Sequence, residues 1–473
     1  MFIEYNQNQT FLLPPSFREF LWEWHEAIIL SELIDELDIK SLIQEYHKEW
    51  KWRPAFHPRM LLKVLFYGYM NQTFSSRKLA NKLFSDLWFM YIAWNNKPDF
   101  RTINRFRKER WWILEEIFTQ IVLKAKNLWL ISFGTVSLDG TKIYANAANK
   151  NNYEIEDLEQ TIKRLFEDAE RIDKIEDEEY GDRDGSNVPE ALKTKEWREL
   201  RKKEIEEKKK QAIKTKRFVK EEIEKKKEEW IHQRRINTTD KDSRLMIMKR
   251  KDRWTWYNPQ NLTENQFILS TVVPNSAGDV EELIPLLRKF KRNFNQFPEI
   301  QLADKWYASE DNYQFLQDNN IKSYIPHQNL QINLNDYLYD SDNDTFEDKQ
   351  GNIYKFKQNI KKSSGWTQGK RLENHDIKSK IYVSLIDWRK KFIHINHNRH
   401  KLCRLNDERL YSEEWRKIYK KRSWCVENVF WNIKANFWFE KFRLRWFEWV
   451  QIERNLISLA HNIKKLIAFQ AIT

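Results

Sequence analysis

The stretch TVSLDG, residues 135–140, decides the fold: Val136 and Leu138 alternate with Ser137, and an acid and a glycine close the run. Alternation ended by Asp139-Gly140 is the pattern of a strand that runs into a turn. A second run, IQLAD at residues 300–304, ends in the same way on Asp304. Apolar residues bury such strands and lift their terminal carboxylates to the edge of a sheet, where ligands of α/β folds collect. Further strand patterns occupy Phe267 to Val273, Lys322 to Pro326 and Lys380 to Ile386. The middle of the chain therefore reads as α/β.

Helical patterns flank it. Arg18 to Leu37 and Pro58 to Asn71 carry apolar residues at three- and four-residue spacing, and Pro58 suits a first helical position. Ser75 is placed to cap a short helix containing Leu79, Ala80 and Leu83. After Pro98, the segment DFRTINRFRKER sets Arg101, Arg105 and Lys108 on one helical face. Such an order fits a helix-turn-helix-like DNA grip or an ordinary bundle with a solvated basic face. After Asp139 comes a mostly charged region that includes LKTKEWRELRKKEIEEKKKQAIKTKRFVKEEIEKKKEEW. Its mixed signs predict an exposed helix or helical hairpin. The expected organisation is a helical N-terminal domain over 1–127, open to either reading, an α/β domain over 128–149 and 237–473, and a charged helical insertion over 150–236.

Charge points to the partner. With 83 Lys+Arg against 70 Asp+Glu the net charge is +13, which favours a polyanion through counterion release, nucleic acid first. A hydrophobic content of 41% excludes a wholly disordered chain. The longest apolar stretches, such as Met60 to Met70, are broken by Lys63, so no membrane span is predicted. The opening MFIEYNQNQT lacks a basic start and an apolar run, so a cytoplasmic protein is expected. Cys403 and Cys425 are too few for a disulfide framework or a four-thiolate zinc site and read as free thiols. His394, His397 and His400 lack the cysteine pair or HExxH pattern of a zinc centre, and His57 reads as a capping or packing residue.

A third acid, Glu427, sits in YKKRSWCVENVFWNIKANF, where Cys425, Val426, Val429, Phe430 and Ile433 have helical spacing. Three carboxylates from distant segments suit hard cations such as Mg²⁺ or Mn²⁺. Two such ions about 3.5–4 Å apart can activate a water or a 3′-hydroxyl and stabilise the leaving oxygen of a phosphodiester. The plain alternative for a strand-end acid is an aspartate that orders its turn.

Read in order, RPAFHPRMLLKVLFYGYMNQTFSSRKLANKL, KPDFRTINRFRK, VSLDGTKIYANAANKNN, TTDKDSRLM, IQLADKWYASEDNY and YKKRSWCVENVFWNIKANFWFEKFRLR resemble bacterial insertion-sequence transposases with a DDE catalytic domain. The resemblance runs from about Phe56 to Leu466, loosely over the charged insertion and Asp336 to Asn406. It implies a ribonuclease-H-like mixed sheet with flanking helices, a helical N-terminal domain and a long helical insertion after the first Asp. It also implies a metal-binding triad of Asp139, Asp304 and Glu427 holding two Mg²⁺ or Mn²⁺ ions. The implied reaction is strand cleavage at the terminal inverted repeats of an element and strand transfer into target DNA. A homodimer or larger synaptic complex and a nucleoid-associated location follow from the same likeness.

Seven residues after Glu427, Lys434 is expected on the same helical face, where it would meet a DNA phosphate while the acid meets metal. Tyr419 and Arg422 stand at family positions, and Arg443 and Arg445 add charge further along. Asp240 and Asp242 also match a family motif and read as loop-ordering acids. Two rivals stay open: a ribonuclease-H-like nuclease without strand transfer, and a DNA-binding relative that has lost turnover.

One count departs from ordinary usage. At the usual ~7% glycine a chain of this size would hold roughly 33, yet it has 9, beside 22 tryptophans. Trp306, Trp431, Trp438 and Trp446, with Trp94 and Trp129, stand where relatives have glycine. The expectation is that many of these residues come from UGA codons that the organism reads as glycine. Written as tryptophan, Trp306 and Trp431 are expected to crowd the site.

Overall fold

The computed structural model describes residues 25–48, 55–154, 235–247, 253–274, 276, 278–326, 336–361, 366–367, 370–371, 377–386, 389–410 and 412–470. The helical insertion expected over 150–236 lies almost wholly outside the described residues. Its two ends meet, because Asn152–Glu154 pairs antiparallel with Arg235–Asn237.

Seven helices open the described chain: α1 (Glu26–Asp35), α2 (Lys40–Lys48), α3 (Pro58–Met70), α4 (Ser76–Ser85), α5 (Leu87–Ile92), α6 (Phe100–Glu109) and α7 (Trp111–Asn127). Local signals start them. His57 accepts from Arg59 N–H to cap α3, and Asp99 accepts from Thr102 N–H to cap α6. Ser75 occupies the cap position of α4 but makes no side-chain cap bond. Gly68 permits close helix contact, since a Cβ there would lie 2.3 Å from Leu79 Cδ2. On α6, Ile103, Phe106 and Arg107 turn inward while Arg101 and Arg105 face solvent.

The central sheet contains β1 (Thr135–Gly140), β2 (Gln260–Glu264), β3 (Phe267–Val272), β4 (Ile300–Leu302) and β5 (Lys322–Tyr324). Its order is 3-2-1-4-5. The first three strands pair antiparallel, and β4 and β5 run parallel to β1. Among the described residues five more helices follow: α8 (Leu283–Phe294), α9 (Glu310–Asp318), α10 (His397–Leu410), α11 (Glu413–Trp431) and α12 (Phe447–Gln470). One apolar core runs through the N-terminal helices, the sheet and α12. The mixed sheet and its flanking helices have the ribonuclease-H-like arrangement.

Two parts of this architecture go beyond the sequence reading, which marks only Lys380 to Ile386 of the second. Strand β2 reads QNLTE and is buried along its whole length. Its polar groups are tolerated there because most are paired, Asn261 Nδ2 being an exception. Asn261 Oδ1 accepts from the buried Arg454 at 2.7 Å, and Glu264 accepts from Ser132 Oγ and Phe133 N–H at 2.8 Å each. Between the second aspartate and Glu427, a second antiparallel sheet contains β6 (Tyr337–Asp340), β7 (Thr345–Asp348), β8 (Ile353–Lys361), β9 (Ile377–Ile386) and β10 (Arg389–Ile395). A small core of Phe346, Tyr354, Tyr382, Ile393 and Ile395 holds it together.

The outer edge of β3 is closed by a helix instead of a strand. Asn462 of α12 accepts from Ile268 N–H at 2.9 Å and donates to Ile268 C=O at 2.7 Å. One carboxamide thus pairs both backbone groups that a neighbouring strand would take.

Candidate active site

Asp139 lies near the end of β1, and Asp304 caps the short 3₁₀ turn Lys305–Tyr307 that follows β4. The two strands are parallel neighbours, which brings their ends side by side. Arg422, from α11, reaches both acids through one nitrogen. Its Nη2 is 2.9 Å from Asp139 Oδ2 and 3.8 Å from Asp304 Oδ2. Tyr419, one turn earlier on α11, donates to Ala303 C=O at 3.4 Å.

Burial dominates the electrostatics. It lifts the Asp139 carboxyl to about 6 against the pull of Arg422, and the neighbouring Asp304 charge adds to the rise. Burial also raises Asp304, with Trp306 N–H and Arg422 opposing it. Raised, adjacent carboxylates call for a cation between them, and in this structure a guanidinium fills that place. Hard oxygen donors at this spot fit a divalent ion.

Glu427 does not join them. It is exposed on α11 and makes no hydrogen bond or ion pair with either aspartate. Among the described residues no group of three His, Cys, Asp or Glu side chains is placed to hold a metal ion. The reason is helical phase: five residues after Arg422, at 3.6 per turn, Glu427 points roughly 140° away from the side that faces the sheet. Val426 and Val429 take the buried side.

The face expected to carry Glu427 together with Lys434 is also interrupted. α11 ends at Trp431 and a π-helical turn, Asn432–Asn436, carries Lys434, so the spacing that aligned the two does not run through. Lys434 is half-buried, and burial, followed by the charge of Arg454, pulls its ammonium pKa down.

Other predicted residues fall in two places. Arg443 and Arg445 are exposed on the loop before α12, where Arg443 C=O accepts from Asn146 Nδ2 and Arg445 Nε donates to Asn146 C=O. The buried Glu453 fixes that loop by accepting from Arg443 N–H and Leu444 N–H. On α6, Arg101 and Arg105 project into solvent, whereas the Lys108 ammonium lies 3.9 Å over the Trp449 ring. Asp240 accepts from Tyr257 hydroxyl and Trp446 N–H, and Asp242 from Phe447 N–H, so this pair orders the entry to α12.

His394 is exposed, and the side chains of His397 and His400 lie outside those described. Cys403 and Cys425 are both buried, and no disulfide joins them. The tryptophans do not overfill the site as expected: Trp306 is 54% and Trp431 63% exposed, so their rings extend into solvent.

Mixed-sheet topology with paired acids at the ends of β1 and β4 defines the class, a ribonuclease-H-like α/β protein with a candidate cation site. A transposase DDE domain model matches residues 224–463, just over half of the chain, and a transposase domain model matches residues 15–109. The chain belongs to the DDE transposase family. The longer match contains Asp304 and Glu427 and begins after Asp139, which the central sheet supplies from outside it. No curated protein matches the chain. Among the described residues no helix is long and apolar enough to cross a membrane.

Proposed function

We propose that this transposase cleaves DNA at the ends of an insertion sequence and transfers the freed 3′-hydroxyl to target DNA, with Asp139, Asp304 and Glu427 as its acids. The observation that carries the reading is the convergence of two strand-end aspartates on one cationic nitrogen of α11, the helix that also bears Glu427. Asp139 and Asp304 would hold Mg²⁺ or Mn²⁺, which when bound supplies charge stabilisation and an activated oxygen nucleophile. Arg422 balances the two acids before that, and would leave them for a DNA phosphate as Glu427 turns in. Arg443, Arg445, Arg101 and Arg105 present exposed charge to the DNA backbone. Lys434 and Lys108, less exposed, would contribute once DNA displaces their present packing. The partners are the terminal inverted repeats and the target, handled by a dimer or larger assembly in the nucleoid.

Asp139→Asn tests this. Cleavage of an end-bearing duplex should fall by at least 10³-fold while DNA affinity stays within two-fold, and the wild type should join a pre-cleaved end to a target plasmid. Cleavage without joining would indicate a nuclease. Equal behaviour of wild type and variant would indicate a DNA-binding relative without turnover, a reading that the outward position of Glu427 favours.

A further inference from the structure

Gly140 follows Asp139 directly, and a Cβ there would lie 2.3 Å from Gln260 Nε2. Glycine therefore lets the Gln260 carboxamide cross the end of β1. That carboxamide is fully buried and used at both ends: Nε2 donates to Asp279 Oδ1 at 2.8 Å, and Oε1 accepts from the Tyr307 hydroxyl. Asn258 Nδ2 donates to the same Asp279 oxygen at 2.7 Å. Tyr307 is itself fully buried and closes the 3₁₀ turn capped by Asp304. Pairing and packing of Gly140 on Gln260, with the hydrogen bonds of the Gln260 carboxamide, thus tie the residue after Asp139 to the turn after Asp304, and satisfied networks of this kind hold geometry tightly.

We infer that Asp279, Gln260 and Tyr307 are positioning residues that set the separation of Asp139 and Asp304, and with it the affinity for a divalent ion. The inference rests on the catalytic reading above. Isothermal titration of the full chain with Mn²⁺ tests it. Tyr307→Phe and Asp279→Ala should each weaken binding about ten-fold or more. Asp279→Asn, whose amide oxygen still accepts both donors, should keep wild-type affinity. Unchanged affinity in Tyr307→Phe and Asp279→Ala would overturn the inference, and so would loss in Asp279→Asn, because charge and not geometry would then matter. Hydrogen exchange of the 304–308 amides in metal-free protein separates the two readings. If the wild type takes up no Mn²⁺ that Asp139→Asn abolishes, the catalytic reading fails and the metal role with it. Faster exchange in Tyr307→Phe would still support the positioning of the turn, and unchanged exchange would overturn that as well.

Four tryptophans occupy backbone that favours glycine. Trp94, Trp129, Trp438 and Trp446 have φ of 47°, 60°, 53° and 68°, and their side chains are 81%, 94%, 70% and 51% exposed. The first two stand one residue past a helix cap in complete Schellman motifs. Trp94 N–H donates to Tyr91 C=O and Asn95 N–H to Met90 C=O; Trp129 N–H donates to Lys126 C=O and Leu130 N–H to Ala125 C=O. That position is usually glycine or asparagine, and Asn295 and Asn320 fill comparable left-handed sites at the ends of α8 and α9. An indole there strains the backbone and buries little in return. We propose that the native polypeptide carries glycine at 94, 129, 438 and 446, specified by UGA codons. Sequencing the gene and mass spectrometry of peptides from protein isolated from its source cells should find UGA and glycine at all four positions. UGG codons, or tryptophan in those peptides, would overturn the proposal.

Discussion

At Arg422 one guanidinium nitrogen serves two carboxylates whose side chains are 22% and 27% exposed. Removing one partner of such a cluster leaves charges partly desolvated and mutually repelling. Arg422→Gln should therefore cost roughly 1–3 kcal/mol in metal-free protein, discounted for that partial exposure. Millimolar Mg²⁺ should return most of the loss, since the ion would replace the missing charge; melting with and without MgCl₂ measures both effects. At the left-handed positions the expected sign is opposite. A non-glycine residue in that region costs roughly 1–2 kcal/mol, so Trp129→Gly, at a ring 94% exposed, should raise stability by about 1 kcal/mol in urea unfolding.

Among the elements, α12 closes the sheet edge and holds one pH-sensitive group, His461. His461 is buried, its Nε2 lies 2.8 Å from Gln266 C=O and its Nδ1 2.9 Å from Asn432 Nδ2. A carbonyl only accepts, so the neutral ring donates from Nε2 and accepts at Nδ1. A second proton would face the Asn432 amide donor. Burial accordingly pushes the His461 pKa down to about 4. A lowered histidine contributes stability that is complete above its unfolded value near 6.5 and is lost as the pH falls toward about 4, because only the unfolded chain takes up the proton in that window. The loss should approach roughly 3 kcal/mol. Burial raises Asp139 to about 6, which adds stability as the pH falls through the same window, so the His461 contribution should appear in chemical denaturation between pH 7 and pH 4 as the difference in slope between wild type and His461→Gln.

For the molecule as a whole, the proposed DNA partner should respond to the net charge of +13 and to the exposed arginines. Each phosphate neutralised contributes about 0.9 to the slope of log K against log salt. Replacing Arg443 and Arg445 together by alanine should lower that slope by about 2 in fluorescence anisotropy with duplex DNA. An unchanged slope would place the DNA elsewhere on the surface.

Alternating apolar runs that end on Asp139 and Asp304 mark two strands in the sequence, because period and turn chemistry are local properties; that the two are neighbours is set by the sheet. Helices α3, α4 and α6 are legible for the same reason, through their spacing, although Ser75 makes no cap bond to α4. The buried strand β2 was not: QNLTE is polar, and only partners remote in sequence, Arg454 and Ser132 among them, make its burial tolerable. Of the second sheet only Lys380 to Ile386 is legible in sequence, since its small core of Phe346, Tyr354, Tyr382, Ile393 and Ile395 exists only once the strands meet. Sequence alone determined the strand-end acids, the basic charge and the excess of tryptophan over glycine. Tertiary structure alone decided that Arg422 sits between the acids, that Glu427 faces outward, and that Gln260 bridges two turns. Helical phase and long-range hydrogen bonds depend on how elements dock, and no local pattern encodes docking.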